Sequence, residues 1–120
     1  MFISRYEDCE EFVSTDNTVI RELFHPDKAE LGPVNYSLAH ARLAPGCSTD
    51  PHRLKTSEVF YIMGGTGLAR IDGEETEVGP ATAIYVPPGA SQNITNIGSE
   101  DLTFLCIVEP AWRIEDEEIL

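Results

Sequence analysis

Leu68-Ala69-Arg70-Ile71-Asp72-Gly73-Glu74-Glu75-Thr76-Glu77-Val78 decides the fold class. Residues 68–71 and 75–78 are extended runs that meet across Asp72-Gly73. Asp-Gly in that setting specifies a type I′ hairpin, because both central residues of the turn need positive φ. Similar runs lie on either side. Residues 36–43 stop at Pro45-Gly46, and residues 58–63 stop at Gly64-Gly65. Residues 83–86 end at Pro87-Pro88-Gly89, and residues 91–96 end at Ile97-Gly98-Ser99-Glu100. The last run, Leu102-Thr103-Phe104-Leu105-Cys106-Ile107-Val108, is apolar on both faces and predicts a central strand covered on both sides. Six or seven short strands with a turn signal every eight to twelve residues mean a sandwich or a barrel.

The first third is less regular. Residues 19–24 can form a short strand, followed by turns at His25-Pro26-Asp27 and Gly32-Pro33. No long helical pattern occurs. The acidic run Glu115-Asp116-Glu117-Glu118 reads as a solvated tail or a short helical turn. The chain is expected to be one domain over 1–120. It comprises a strand-bearing N-terminal region (1–33), a barrel (about 34–109) and an acidic C-terminal tail (110–120).

Composition narrows the function. Twenty-one acids against eight bases give a net charge of −13, which argues against nucleic acid and against anionic membranes as partners. No run approaches the roughly 20 apolar residues that span a bilayer. Met1 to Asp8 shows neither a basic nor an apolar leader segment, so the expected location is the cytoplasm. Cys9, Cys47 and Cys106 are odd in number, lack metal-type spacing and form no disulfide framework, which fits a reducing compartment.

Alternation along strands places Glu58, Phe60 and Ile62 on one face, and His52 and Leu54 on one face of any extended segment. Glu58 and Gln92 fall at strand beginnings, where the mouth of a barrel would be. His40 shares a face with Tyr36 and Arg42, opposite Ala39, Ala41 and Leu43, and is expected to point outward.

The spacing Gly46-x5-His52-x-Leu54-x3-Glu58-x6-Gly65 resembles the first motif of the cupin superfamily. Pro87, Gly89 and Asn96 match the second, and Ala81 stands where its leading glycine is expected. The resemblance spans about 34–108 and is closest to small single-domain cupins. It implies a double-stranded β-helix, that is, a jelly-roll barrel. The family's metal ligands are two histidines and a glutamate of the first motif and a histidine of the second. Here His52 fits the first histidine and Glu58 the carboxylate. Leu54 replaces the second histidine and cannot ligate, and Gln92 replaces the last. The implied metal set is therefore His52, Glu58 and Gln92, with His25, His40, Cys47 or Cys106 as candidates to complete it. It would hold one divalent transition metal (Mn, Fe, Ni, Co or Zn, not distinguished), or none. The resemblance also lines the pocket with the strand carrying Phe104 and Cys106, beside Leu54, Phe60 and Gln92. Free cysteine is equally at home in a core.

Three functions follow. The first is a metal-dependent enzyme of dioxygenase, decarboxylase or isomerase type acting on a small polar organic substrate. The second is a metal-free site, either a ligand-binding or sensor module or an acid–base isomerase or epimerase. In that enzyme His52 and Glu58 move a proton, since a carboxyl buried in an apolar barrel titrates near neutrality. The third is an interaction role. The resemblance implies a homodimer, with the N-terminal apolar run and Trp112 as expected interface residues.

Overall fold

Residues 1–120 are described by a computed structural model. In chain order the strands are β1 (Glu11–Val13), β2 (Val19–Phe24), β3 (Ser37–Leu43), β4 (His52–Leu54), β5 (Ser57–Gly64), β6 (Gly67–Ile71), β7 (Glu74–Val78), β8 (Thr82–Val86), β9 (Ser91–Asn96), β10 (Leu102–Glu109) and β11 (Glu117–Ile119). Single 3-10 turns cover Tyr6–Asp8 and Ile114–Asp116. Two antiparallel sheets form the barrel, one ordered β1-β2-β3-β10-β5-β8 and the other β11-β4-β9-β6-β7. The architecture is the all-β jelly roll expected. No helix is long and apolar enough to cross a membrane.

Local chemistry explains the turns. Asp72 and Gly73 take φ of 48° and 82°, as the type I′ hairpin between β6 and β7 requires. Gly65 takes φ of 89°, and a Cβ there would stand 2.6 Å from the Asp101 carbonyl oxygen, so only glycine fits. Asn96 is wholly buried and ties three segments. Its amide nitrogen donates to the carbonyls of Leu43 (2.9 Å) and Glu100 (2.8 Å), and its oxygen accepts from Gly98 N–H. A buried amide so satisfied stabilises the closed end of the barrel.

The inward faces of both sheets meet in a core that includes Leu43, Ile62, Val86, Ile94, Leu102 and Phe104. Phe60 and Phe104 pack edge to face with centroids 5.3 Å apart. β10 is central, as expected, lying between β3 and β5. It is not covered on both sides. Leu102, Phe104, Cys106 and Val108 are buried, whereas Thr103, Leu105 and Ile107 are only half-buried. The outer face continues laterally in two apolar rows, Ile107–Val59–Tyr85 and Leu105–Tyr61–Ala83.

The acidic tail also departs from expectation. Residues 114–116 make the short helical turn, but Glu117–Ile119 then form β11 against β4, pairing Glu117 with Leu54 and Ile119 with His52. This edge pairing lays the tail along β4, with Glu117 half-buried and Glu118, Ile119 and Leu120 still exposed.

Candidate functional site

The open end of the barrel holds a cavity of about 60 Å³, counted as space for the centre of a water-sized molecule. At roughly 15 Å³ for each such position, it takes about four. Strands β3, β4, β5 and β10 wall the interior with Ala39, Leu54, Phe60, Phe104 and Val108. The β1–β2 hairpin, Trp112 and Glu117 complete the lining.

His52 is buried, and its Nδ1–H donates to the Asp50 carbonyl at 2.6 Å. A carbonyl only accepts, so this bond sets the tautomer and leaves Nε2 facing the cavity. Nε2 stands 3.5 Å from Asp16 Oδ2. Asp16 sits in the β1–β2 turn, where its Oδ1 accepts from Thr18 N–H at 3.2 Å and its carbonyl accepts from Asp50 N–H at 2.7 Å. Glu117 approaches from β11. Its Oε2 accepts from Thr15 Oγ1 at 2.7 Å and from Trp112 Nε1 at 3.2 Å. Ligand atoms of Asp16, His52 and Glu117 all lie within 4.8 Å of one another.

Deeper in the barrel, Glu58 is buried on β5 and accepts from Gln92 Nε2 of β9 at 3.1 Å. Its carboxyl is raised to about 8, chiefly by burial, with the Gln92 bond drawing it down and the charges of Asp16 and Glu117 pushing it up. Glu58 is therefore mostly a neutral acid at pH 7. Burial, then the neighbouring Glu58 charge, hold the Cys106 thiol well above its ordinary value. Gln92 Oε1 is buried with no hydrogen-bond partner.

Of the residues singled out from sequence, His52, Leu54, Glu58, Phe60, Phe104 and Cys106 line the cavity. Gln92 lies behind Glu58 and touches the site through it. His25, His40 and Cys47 are elsewhere. His25 is spent on structure, donating to the Trp112 carbonyl and accepting from Asp27 N–H. His40 packs on Tyr6 with centroids 4.6 Å apart, and Cys47 is exposed. Trp112 lines the cavity. Asp16 and Glu117 were not foreseen. Each is one acid in a polar stretch, and only tertiary pairing brings it to the mouth.

Of the four motif positions, His52, Glu58 and Gln92 carry a possible donor atom. Leu54 has no donor atom. Glu58 accepts from Gln92 Nε2, and Gln92 Oε1 is left buried without a partner. Anionic carboxylate and imidazole are the donors such ions take.

The family model for the cupin domain matches residues 39–108. An uncharacterized protein of Methanocaldococcus jannaschii is 38% identical over 118 residues, 98% of this chain and 93% of its own length. The oxalate-binding protein of Thermotoga maritima is 30% identical over 71 residues, 58% of this chain and 59% of that protein. Among solved structures, a predicted oxalate decarboxylase from Thermotoga maritima superposes with a TM-score of 0.78 at 20% identity, over 91% of this chain and 99% of that one. A Streptomyces nucleoside dehydratase superposes with a TM-score of 0.79 at 16% identity, over 100% of this chain and 91% of that one. At such identities the solved structures speak for the fold.

Proposed function

This chain belongs to the cupin family, and from that premise we propose that it is an enzyme binding one small organic molecule in the barrel mouth and transferring a proton to it from Glu58. Glu58 carries this reading: a carboxyl in the cavity wall, buried among apolar side chains and held up at about 8. A proton donor works best when its pKa lies near the working pH, and burial moves this carboxyl into that range. The cavity's size limits what it encloses to a small group, the rest of the ligand lying in the open mouth. Leu54, Phe60, Phe104 and Val108 suit an apolar body. His52 lines the same cavity and contacts the polar end. Isomerisation and dehydration of an oxygen-bearing molecule are the reactions such a donor serves.

The test is a thermal-shift screen of small oxygen-bearing molecules at pH values either side of about 8, followed by turnover of the compounds that bind. Glu58→Gln keeps an N–H donor and the side-chain shape, so it should retain binding while turnover falls by roughly 100-fold or more. Glu58→Leu should lose both. Turnover that survives Glu58→Leu would sink the assignment.

The apolar rows on the outer face of β5, β8 and β10 support self-association. Contiguous exposed apolar surface of this kind marks an interaction site.

A further inference from the structure

We infer that a divalent transition-metal ion binds at the barrel mouth between Asp16, His52 and Glu117, a ligand set that keeps the first-motif histidine and takes its two carboxylates from the N-terminal hairpin and the C-terminal strand.

Three observations carry it. First, each side chain is anchored through one atom and keeps another free. Nδ1 of His52 is fixed on Asp50, Oδ1 of Asp16 on Thr18 N–H, and Oε2 of Glu117 on Thr15 and Trp112. Nε2, Oδ2 and Oε1 make no hydrogen bond. Metal ligands are oriented in this way by partners on their far atoms. Second, His52 Nε2 and Asp16 Oδ2 are 3.5 Å apart, too long for a good hydrogen bond. Two donors, each about 2.1 Å from one tetrahedral ion, stand about 3.4 Å apart. Third, Thr18 Oγ1 is buried without a partner, and Thr18 lines this same cavity beside Asp16. A buried hydroxyl without a partner is rare unless a bound group completes it.

Charge points the same way. Asp16, Glu22, Glu58 and Glu117 all line the cavity, and no lysine or arginine does. Glu22 is matched by Lys28 at 2.7 Å, and Glu58 is paired with Gln92 deeper in the barrel. Asp16 and Glu117 remain, with one imidazole between them. One nitrogen and two carboxylate oxygens suit Mn, Fe, Co, Ni or Zn. Three protein ligands leave open positions, where a bound ion supplies a Lewis acid for a ligand oxygen. The inference does not depend on Glu58 as proton donor.

The test uses untagged full-length protein stripped with a chelator and reloaded in turn with Mn²⁺, Co²⁺ and Zn²⁺. Bound metal is measured by elemental analysis and calorimetry, and the Co²⁺ visible spectrum reports coordination. One equivalent should bind. Asp16→Asn and Glu117→Gln, both isosteric, should each weaken binding by at least roughly 10–100-fold and change the Co²⁺ spectrum. Glu58→Gln should leave both readouts in place. Circular dichroism confirms that each variant is folded. Uptake well below one equivalent for every ion would overturn the assignment. So would loss of metal through Glu58→Gln with Asp16→Asn unaffected, which would put the ion at the motif positions.

Discussion

Gln92 Nε2 donates to Glu58 Oε1 at 3.1 Å, joining β9 of one sheet to β5 of the other inside the barrel. The bond favours ionised Glu58, but burial outweighs it and holds the carboxyl at about 8 against an ordinary value of 4.5. Between those two values the folded protein keeps a proton that the unfolded chain has lost. The stability linked to Glu58 is therefore full below 4.5, falls as pH rises, and levels off above about 8. The loss across this window is at most on the order of 5 kcal/mol. Glu58→Gln removes the titrating group. Urea unfolding of both proteins across the window should show the variant gaining on the parent as pH rises. A constant difference between them would refute the raised carboxyl.

Ala81 sits where the second motif has its leading glycine, and it holds φ of 62° to place its N–H on the Ile62 carbonyl at 2.8 Å. A left-handed conformation strains a residue with a Cβ by about 1–2 kcal/mol, and glycine relieves it at some entropic cost. Ala81→Gly should therefore stabilise the protein by about 0.5–1 kcal/mol. Gly65→Ala should do the opposite, losing about 3 kcal/mol or more, because its Cβ meets backbone 2.6 Å away that cannot swing aside. Thermal unfolding of the two single variants checks both signs.

How much was legible in the sequence depended on how local the signal was. β6 and β7, with the Asp72-Gly73 turn between them, follow from alternation and turn chemistry, and so do β3, β5, β8, β9 and β10 to within a residue or so. β1, β4 and β11 are three residues each. A segment that short is extended because a neighbour pairs with it, so its own composition carries little signal. The site divides in the same way. His52, Glu58 and Gln92 stand at motif spacing. Asp16 and Glu117 lie in Ser14-Thr15-Asp16-Asn17 and in an acidic run, stretches that read as polar loop. What brings them to the mouth is long-range: Asp50 N–H on the Asp16 carbonyl, and Thr15 on Glu117.

Cys106 lines the cavity beside Glu58 yet should be chemically quiet. Burial leaves it 8% exposed, and its thiol is held well above the ordinary value. Cys47 is exposed. Attack on a disulfide reagent requires thiolate and access, so Cys106 should react at least about 100-fold more slowly than Cys47 in the native protein. Both should react fast after unfolding in denaturant. Peptide mapping of partly modified protein separates the sites. Equal rates in the folded state would make Cys106 a pocket nucleophile and contradict its buried, neutral character.

β10 leaves one outer face of its sheet open. The rows Ile107–Val59–Tyr85 and Leu105–Tyr61–Ala83 lie side by side on one outer surface. Tyr85 is 61% exposed and Tyr61 40%. β8 is the edge strand on this side, so a second copy can reach the rows without displacing any element. A self-complementary patch on a two-fold axis pairs each row with its copy, the usual geometry of a symmetric dimer. Aromatic residues at the centre of such a patch carry much of the binding energy. Tyr61→Asp should weaken the dimer by about 2 kcal/mol or more, roughly 30-fold in dissociation constant. The Tyr61 side chain points away from the core, so the fold should remain. Light scattering over a concentration series distinguishes the two proteins. A parent chain that stays monomeric at high concentration, or a variant that dimerises equally well, would show that this face is not where copies meet.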